Sequence, residues 1–171
     1  KSTNGSGVKV TSTENVTTGR LSIFYTIFGI EGEYEKSNKD WQSWSGMASI
    51  RLLGSSQQNT NLTGSYGFRE KKLTGDAPET FQNQFAQGSL NIYITSFMGI
   101  DGTYRTYFNH KSNQGRDFKG SRVTGGVFFE YGFFRIFGQY NQELSEITPA
   151  DGSAPTKEDR HGLDFGAKIF L

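Results

Sequence analysis

Apolar and polar residues alternate one by one along most of this chain, which is the period of a β-strand and not of a helix. In the last segment Leu163 and Phe165 share one parity, while Asp164 lies on the other. The same alternation recurs in nine segments, and Val8 and Val10 suggest a tenth strand. Since no helical period occurs anywhere, the pattern predicts an all-β fold, an antiparallel up-and-down transmembrane β-barrel of about 8–10 strands.

The two parities differ in chemistry. One parity carries aliphatic and aromatic side chains, which we expect to face lipid or a neighbouring protomer: Phe28, Ile30, Tyr34, Ile92, Ile100, Tyr104, Val127, Phe129, Ile136, Phe165 and Ile169. The other parity carries a balanced set of charges, which we expect inside: Glu31, Glu33, Arg51, Arg69, Asp101, Arg105, Arg122, Glu130, Arg135, Asp164 and Lys168. A barrel of this size is just wide enough for side chains, and unpaired buried charges are costly. The sequence therefore predicts a filled, self-neutralised lumen and not a general porin.

Composition alone gives a different impression. Only 33% of the 171 residues are hydrophobic and the mean hydropathy is −0.59, but 15% aromatic residues argue against disorder. No stretch approaches the roughly 20 apolar residues of a membrane-spanning helix. The net charge of +1 without a basic run predicts no nucleic-acid partner, and the absence of cysteine excludes disulfides and cysteine-based zinc sites. We predict no cofactor and no metal, and one domain over residues 1–171, with residues 1–19 of uncertain strand content.

The connections between the predicted strands differ in length. Long ones are expected near 37–40, 74–79, 111–119 and 147–159, short ones near 26–27, 95–97 and 132–133, and a medium one at 54–60. Such asymmetry is typical of outer-membrane barrels. Aromatic residues near strand ends are the expected girdles at the membrane interfaces: Tyr25, Trp41, Trp44, Tyr107, Phe108 and Phe133.

With these features the chain resembles the small outer-membrane β-barrel proteins of Gram-negative bacteria. The segment from His161 to Leu171 is similar to the assembly signal of such barrels, although those strands usually end in Phe or Trp and here Phe170 is penultimate. The resemblance implies an integral protein of the bacterial outer membrane that contacts membrane lipid or lipopolysaccharide. Glycines on the outward parity would suit close packing of protomers, as in the ring-forming outer-membrane proteins that trap lipid: Gly32, Gly64, Gly102, Gly125 and Gly138.

Three functions stay open. The first is a non-enzymatic barrel with a structural, lipid-organising or partner-binding role, either as a monomer or as a homo-oligomer. The second is a lipid A hydrolase, because His110 and Ser112 faintly resemble the His-x-Ser-Asn motif of outer-membrane lipid A deacylases, in which they would be base and nucleophile. A solvated histidine in a polar loop is the simpler interpretation of those two residues. The third is a soluble β-barrel that binds a small apolar ligand.

Overall fold

The described part of the chain is built from β-strands. The computed structural model describes residues 2–3, 9–10, 16–38, 41–56, 58–74 and 78–169, apart from the side chains of residues 2, 3, 9, 10, 109, 168 and 169. The strands are β1 (Ser2–Thr3), β2 (Lys9–Val10), β3 (Val16–Tyr25), β4 (Phe28–Ser37), β5 (Trp41–Leu53), β6 (Asn61–Leu73), β7 (Glu79–Tyr93), β8 (Met98–Lys111), β9 (Asp117–Tyr131), β10 (Phe134–Thr148) and β11 (Thr156–Ile169). No helix among the described residues is long and apolar enough to cross a membrane.

All eleven strands belong to one antiparallel sheet. Strands β3 to β11 lie side by side in chain order, and β1 and β2 follow β11 at the other end of the sheet. Ser2 pairs with Glu158 and Thr3 with Lys157, so β1 covers only a short part of β11. Val10 lies in β2, whereas Val8 is outside the described residues. The all-β antiparallel prediction is confirmed, and each of the nine predicted segments forms one of the long strands.

The sheet curls into a half-barrel whose inner side chains meet across the interior. Arg122 on β9 reaches Glu35 on β4, and Arg105 on β8 reaches Glu33 on the same strand. Neither β8 nor β9 is a neighbour of β4 in the sheet, so curvature and not strand pairing brings these side chains together. The strands thus enclose a common interior, which is the setting for the site described below.

The connections lie at two rims and are shorter than the sequence indicated. Rim A carries the connections 26–27, 54–60, 94–97 and 132–133, and rim B carries 38–40, 74–78, 112–116 and 149–155. The expected contrast between long and short rims is therefore weak, since 54–60 is as long as 149–155. The predicted long connections shrink because the strands continue further towards rim B than an outward apolar pattern indicates.

The beginning of strand β7 is not indicated by an outward apolar alternation. The strand begins at Glu79, well before Leu90, where the outward apolar alternation starts. In its first part the buried residues include Phe81 and Phe85, and the exposed residues between them on the outer side are Gln82 and Gln84. The alternation is present there with its polarity reversed.

Candidate functional site

The interior and the outer face have the reverse of the usual distribution of polarity. On β4, Glu33 and Glu35 are 3% and 5% exposed, while Phe28 and Ile30 are 62% and 65% exposed. Charged residues are almost never fully buried unless they are paired, and a folded soluble chain buries most of its large apolar side chains. The alternation of β4 therefore points its carboxylates inward and its apolar side chains outward, as the sequence led us to expect.

The predicted outward residues on the other strands are also exposed. With those of β4, the exposed members of the set are Phe28, Ile30, Tyr34, Ile92, Ile100, Tyr104, Val127, Phe129, Ile136 and Phe165. Ile169 is part of β11, but its side chain is outside the described set. Together these residues form an apolar surface that runs around the curled sheet.

Inside, Glu33 is held between two arginines. Arg105 donates from Nη1 to Glu33 Oε1 at 2.9 Å, and Arg20 donates from Nη2 to Glu33 Oε2 at 2.7 Å. Arg105 also donates from Nε to Gln87 at 2.8 Å, which orients the guanidinium. Each carboxylate oxygen of Glu33 thus has a charged donor, and charge-assisted bonds of this kind are about twice as strong as neutral ones.

Two more glutamates share arginines with each other. Arg122 contacts Glu35 Oε1 at 2.6 Å and Glu143 Oε2 at 2.6 Å, so one guanidinium bridges two strands that are far apart in the sheet. Arg69, which is 2% exposed, contacts the same two carboxylates at 3.3 Å and 3.4 Å. Ser43 donates to Glu35 at 3.0 Å. The result is a closed network in which buried charges neutralise one another.

A second network lies towards rim A. Arg135 contacts Glu130 at 2.7 Å, and the Tyr93 hydroxyl donates to the same carboxylate at 2.9 Å. Gln58 reaches in from connection 54–60 and donates both to Glu130, at 3.0 Å, and to the carbonyl of Gly132, at 2.6 Å. Connection 54–60 is therefore fastened across the interior to β9 and the following turn.

Aromatic rings stack against the buried guanidiniums. The centre of the Arg135 guanidinium lies 4.0 Å from the Phe128 ring centroid, and that of Arg105 lies 4.5 Å from the Phe85 ring centroid. Arg69 lies 4.9 Å from the ring of Tyr107. Cation–π contacts of this kind are worth more when desolvated than at a surface. The sequence pattern identifies neither Phe85 nor Phe128 and places Tyr107 in the interfacial girdle, although each shares the inward parity of its strand.

Two residues expected in the interfacial girdles lie inside instead. Trp41 and Tyr107 are 8% and 3% exposed, whereas Trp44 and Tyr25 are exposed on the outer side. Their parity explains the difference, because Tyr107 lies two residues after Arg105 on the same strand and both point inward. Position near a strand end does not decide on which face a side chain lies.

The remaining interior residues of the predicted set have polar partners. Glu31 accepts from Ser49 at 2.6 Å and Ser22 at 3.0 Å. Other contacts join Asp101 to Gln139 and Asp164 to Asn141, both at 2.6 Å, and Arg51 to the carbonyls of Thr26 and Ser55 at 2.9 Å and 3.1 Å. Lys168 lies on β11, and its side chain is outside the described set.

Ser112 and His110 are in different surroundings. Ser112 is buried, and its hydroxyl donates to Glu79 while it accepts from the backbone amides of Gln114 and Arg116, at 3.2 Å and 3.1 Å. His110 is exposed. A serine nucleophile is normally bonded to the base that activates it. The bonding of Ser112 is that of a residue that fixes the β8–β9 connection.

Two cavities differ in size and position. One of about 670 Å³ lies along β8 to β11 near rim B and is lined by residues that include Tyr104, Lys119, Leu144 and Lys157. The other, of about 90 Å³, lies between β3 and β10 and is lined mainly by polar side chains, including Arg20, Glu31, Asp101 and Gln139. Pockets for small apolar ligands are usually about 300–1,000 Å³ and mostly apolar. Among the described residues, no three His, Asp or Glu side chains are grouped so as to hold a metal ion.

The chain was also compared with known proteins. No protein-family model, no curated protein and no solved structure matches it.

Proposed function

We propose that the protein is an integral β-barrel of the bacterial outer membrane, with a filled, charge-balanced lumen and a structural or lipid-organising role. The observation that carries the proposal is the reversed polarity of the sheet, with paired charges inside and large apolar side chains outside. An apolar surface of this extent is unusual on soluble monomers, whose exposed apolar patches rarely exceed a few hundred Å². Lipid chains are the surroundings that an outward apolar and inward polar alternation suits.

Retention in membranes tests this proposal. Washing isolated membranes with alkaline carbonate and urea should leave the protein in the pellet, and only detergent should release it. Release without detergent would contradict the proposal, because a chain held by lipid contacts over its apolar outer surface cannot leave the bilayer into water.

A homo-oligomer is a further part of the proposal, supported by outward glycines. A Cβ added at Gly32 or Gly88 would meet nothing within 4 Å, and at Gly102 or Gly125 only a carbonyl oxygen at 3.8 Å. Packing within the chain therefore does not require glycine there, and strand glycines often mark close approach by another surface. The mass of the detergent-solubilised protein decides this point, since a single-protomer mass would exclude stable association.

A further inference from the structure

The outer face changes character along the strands. On β7 the outward residues nearest rim A are Ile92 and Leu90, whereas nearer rim B they are Gln84 and Gln82. Strands β4, β5, β6, β9, β10 and β11 show the same change, whereas β8 keeps the apolar Phe108 outward at the level of Gln84. We call the outward apolar residues on the rim A side the apolar band, and the outward polar residues on the rim B side the polar belt. The polar belt comprises Lys36, Gln42, Glu70, Lys72, Gln82, Gln84, Lys119, Glu146, Lys157 and Asp159.

Strand pairing aligns the polar belt into rows. Gln42 on β5 lies opposite both Lys36 on β4 and Lys72 on β6. On the other side of the sheet, Glu146 lies opposite both Lys119 and Lys157. The change of polarity therefore occurs at a similar level on neighbouring strands and is a property of the sheet.

Aromatic residues with polar tips lie at the boundary and point those tips into the polar belt. The hydroxyl of Tyr34 donates to Gln42 at 3.2 Å, and that of Tyr66 donates to Gln84 at 2.8 Å. The indole nitrogen of Trp44 donates to Glu70 at 3.1 Å. Tyrosine and tryptophan at a membrane interface are oriented in this way, with the ring towards lipid and the tip towards water.

Members of the polar belt bond to one another. Glu70 accepts from Gln82 at 2.8 Å and pairs with Lys72 at 3.0 Å, and Lys119 pairs with Glu146 at 3.0 Å. A lysine on the lipid face of a barrel costs about 2–4 kcal/mol at the bilayer midplane and much less near the interfaces. If the whole polar belt lay in hydrocarbon, each of its charged residues would add a free-energy cost of this kind. The belt therefore belongs outside the hydrocarbon.

The inner face supports the same division. A cluster of buried apolar side chains lies on the rim B side, formed by Met47, Phe81, Phe85, Tyr107 and Phe118, with Leu73 and Ile147 packed against it. Where the outer face is polar, the interior thus contains apolar side chains beside buried charges such as Lys71 and Glu79.

The length of the strands leaves room for such a division. On β9 the apolar band extends from Val123 to Tyr131, which is close to the roughly 9–11 residues of a spanning strand, and the strand continues beyond it towards rim B. Strand β7 has 15 residues, and only its second half belongs to the band. We propose that bilayer hydrocarbon contacts only the apolar band, and that the rim B part of the sheet projects from the membrane into water. This inference rests on the proposed membrane function.

Fluorophores attached at single cysteines test the division, because the chain has no cysteine of its own. Leu90→Cys and Phe165→Cys place an environment-sensitive label in the apolar band. Gln84→Cys and Lys157→Cys place it in the polar belt on the same two strands, and Ser153→Cys in connection 149–155 is the control in water. Each variant is reconstituted as the full chain into phosphatidylcholine vesicles with or without spin-labelled acyl chains.

We expect the labels at positions 90 and 165 to lose most of their emission to the spin-labelled chains, and those at 84, 157 and 153 to keep theirs. Strong quenching at 84 and 157 would overturn the division but leave the membrane proposal intact. Absence of quenching at every position would overturn both. Because each region has two labelled positions, the test still works if one variant does not fold. Tryptophan emission shows whether each variant is folded.

Discussion

At the scale of single residues, the interior glutamates are the side chains whose substitution should lower stability most. Glu143 contacts Arg69 and Arg122 and lies near Lys71, with Nζ at 3.9 Å, and all of these side chains are largely buried. Removing one partner of a buried ion pair is costly because the other charge is left without compensation. The interior network therefore makes each of its members sensitive to substitution.

Glu143→Gln should lower the free energy of unfolding by about 3–5 kcal/mol, since it leaves two buried arginines short of negative charge. Urea titration followed by tryptophan emission measures this. The matched control is Glu146→Gln on the same strand, whose partner Lys119 is 59% exposed and whose loss should cost less than about 1 kcal/mol. Equal losses for the two variants would contradict the description of the interior as a stabilising network.

Ser112→Ala addresses the hydrolase alternative. We expect the acylation of lipid A, measured by mass spectrometry on membranes from expressing cells, to be the same as with the unsubstituted protein. The reason is that the Ser112 hydroxyl already donates to Glu79 in the β8–β9 connection. Loss of a deacylated species in the variant would instead restore His110 and Ser112 as a catalytic pair.

At the scale of the strands, parity in the sequence predicts most of the fold. Alternation indicates the nine long strands. It also indicates to which face of the sheet side chains such as Glu33 and Phe28 point, because successive side chains of a strand point to opposite faces. The start of β7 could not be found in this way. There the outer face turns polar and Phe81 turns inward, so the pattern that identifies the strand elsewhere is reversed.

The partners of the buried charges could not be predicted from the sequence either. Glu33 and Arg105 are 72 residues apart and on strands that are not neighbours. Their contact depends on how tightly the sheet curls and on the register of every strand between them. The sequence establishes a balance of charges, and only the three-dimensional structure shows which charges pair.

Glycines within the strands give a contrast that can be measured at this scale. A Cβ at inward Gly67 would overlap the carbonyl oxygen of Gly46, so Gly67→Ala should lower the free energy of unfolding by about 1–3 kcal/mol. The control, Gly32→Ala, meets nothing within 4 Å and should raise it by roughly 0.5–1 kcal/mol by removing backbone freedom from the unfolded chain. Denaturant titration measures both values. A Gly67→Ala variant more stable than Gly32→Ala would contradict the close contact between β5 and β6 at Gly67.

At the scale of the whole molecule, the filled interior predicts very low conductance. In the closed barrel that we propose, the networks around Glu35 and Glu130 and the stacked aromatic rings would lie in the path of an ion. In planar bilayers we expect no large, stable single-channel current from the purified protein. A steady current of porin size would show that the interior opens in the membrane, and heat-denatured protein is the control for leakage by contaminants.

The order of the strands also determines how the sheet can be closed. Eight antiparallel steps separate β3 from β11, so the two strands run in the same direction. Direct pairing between them would create one parallel seam in an otherwise antiparallel barrel. β1 pairs antiparallel with β11 and β2 pairs antiparallel with β1, so β2 at the sheet edge also runs in the same direction as β3. Closure through β1 alone would keep every pair antiparallel. Because lipid tolerates no open sheet edge, the membrane insertion that we propose would require the sheet to close through one of these seams.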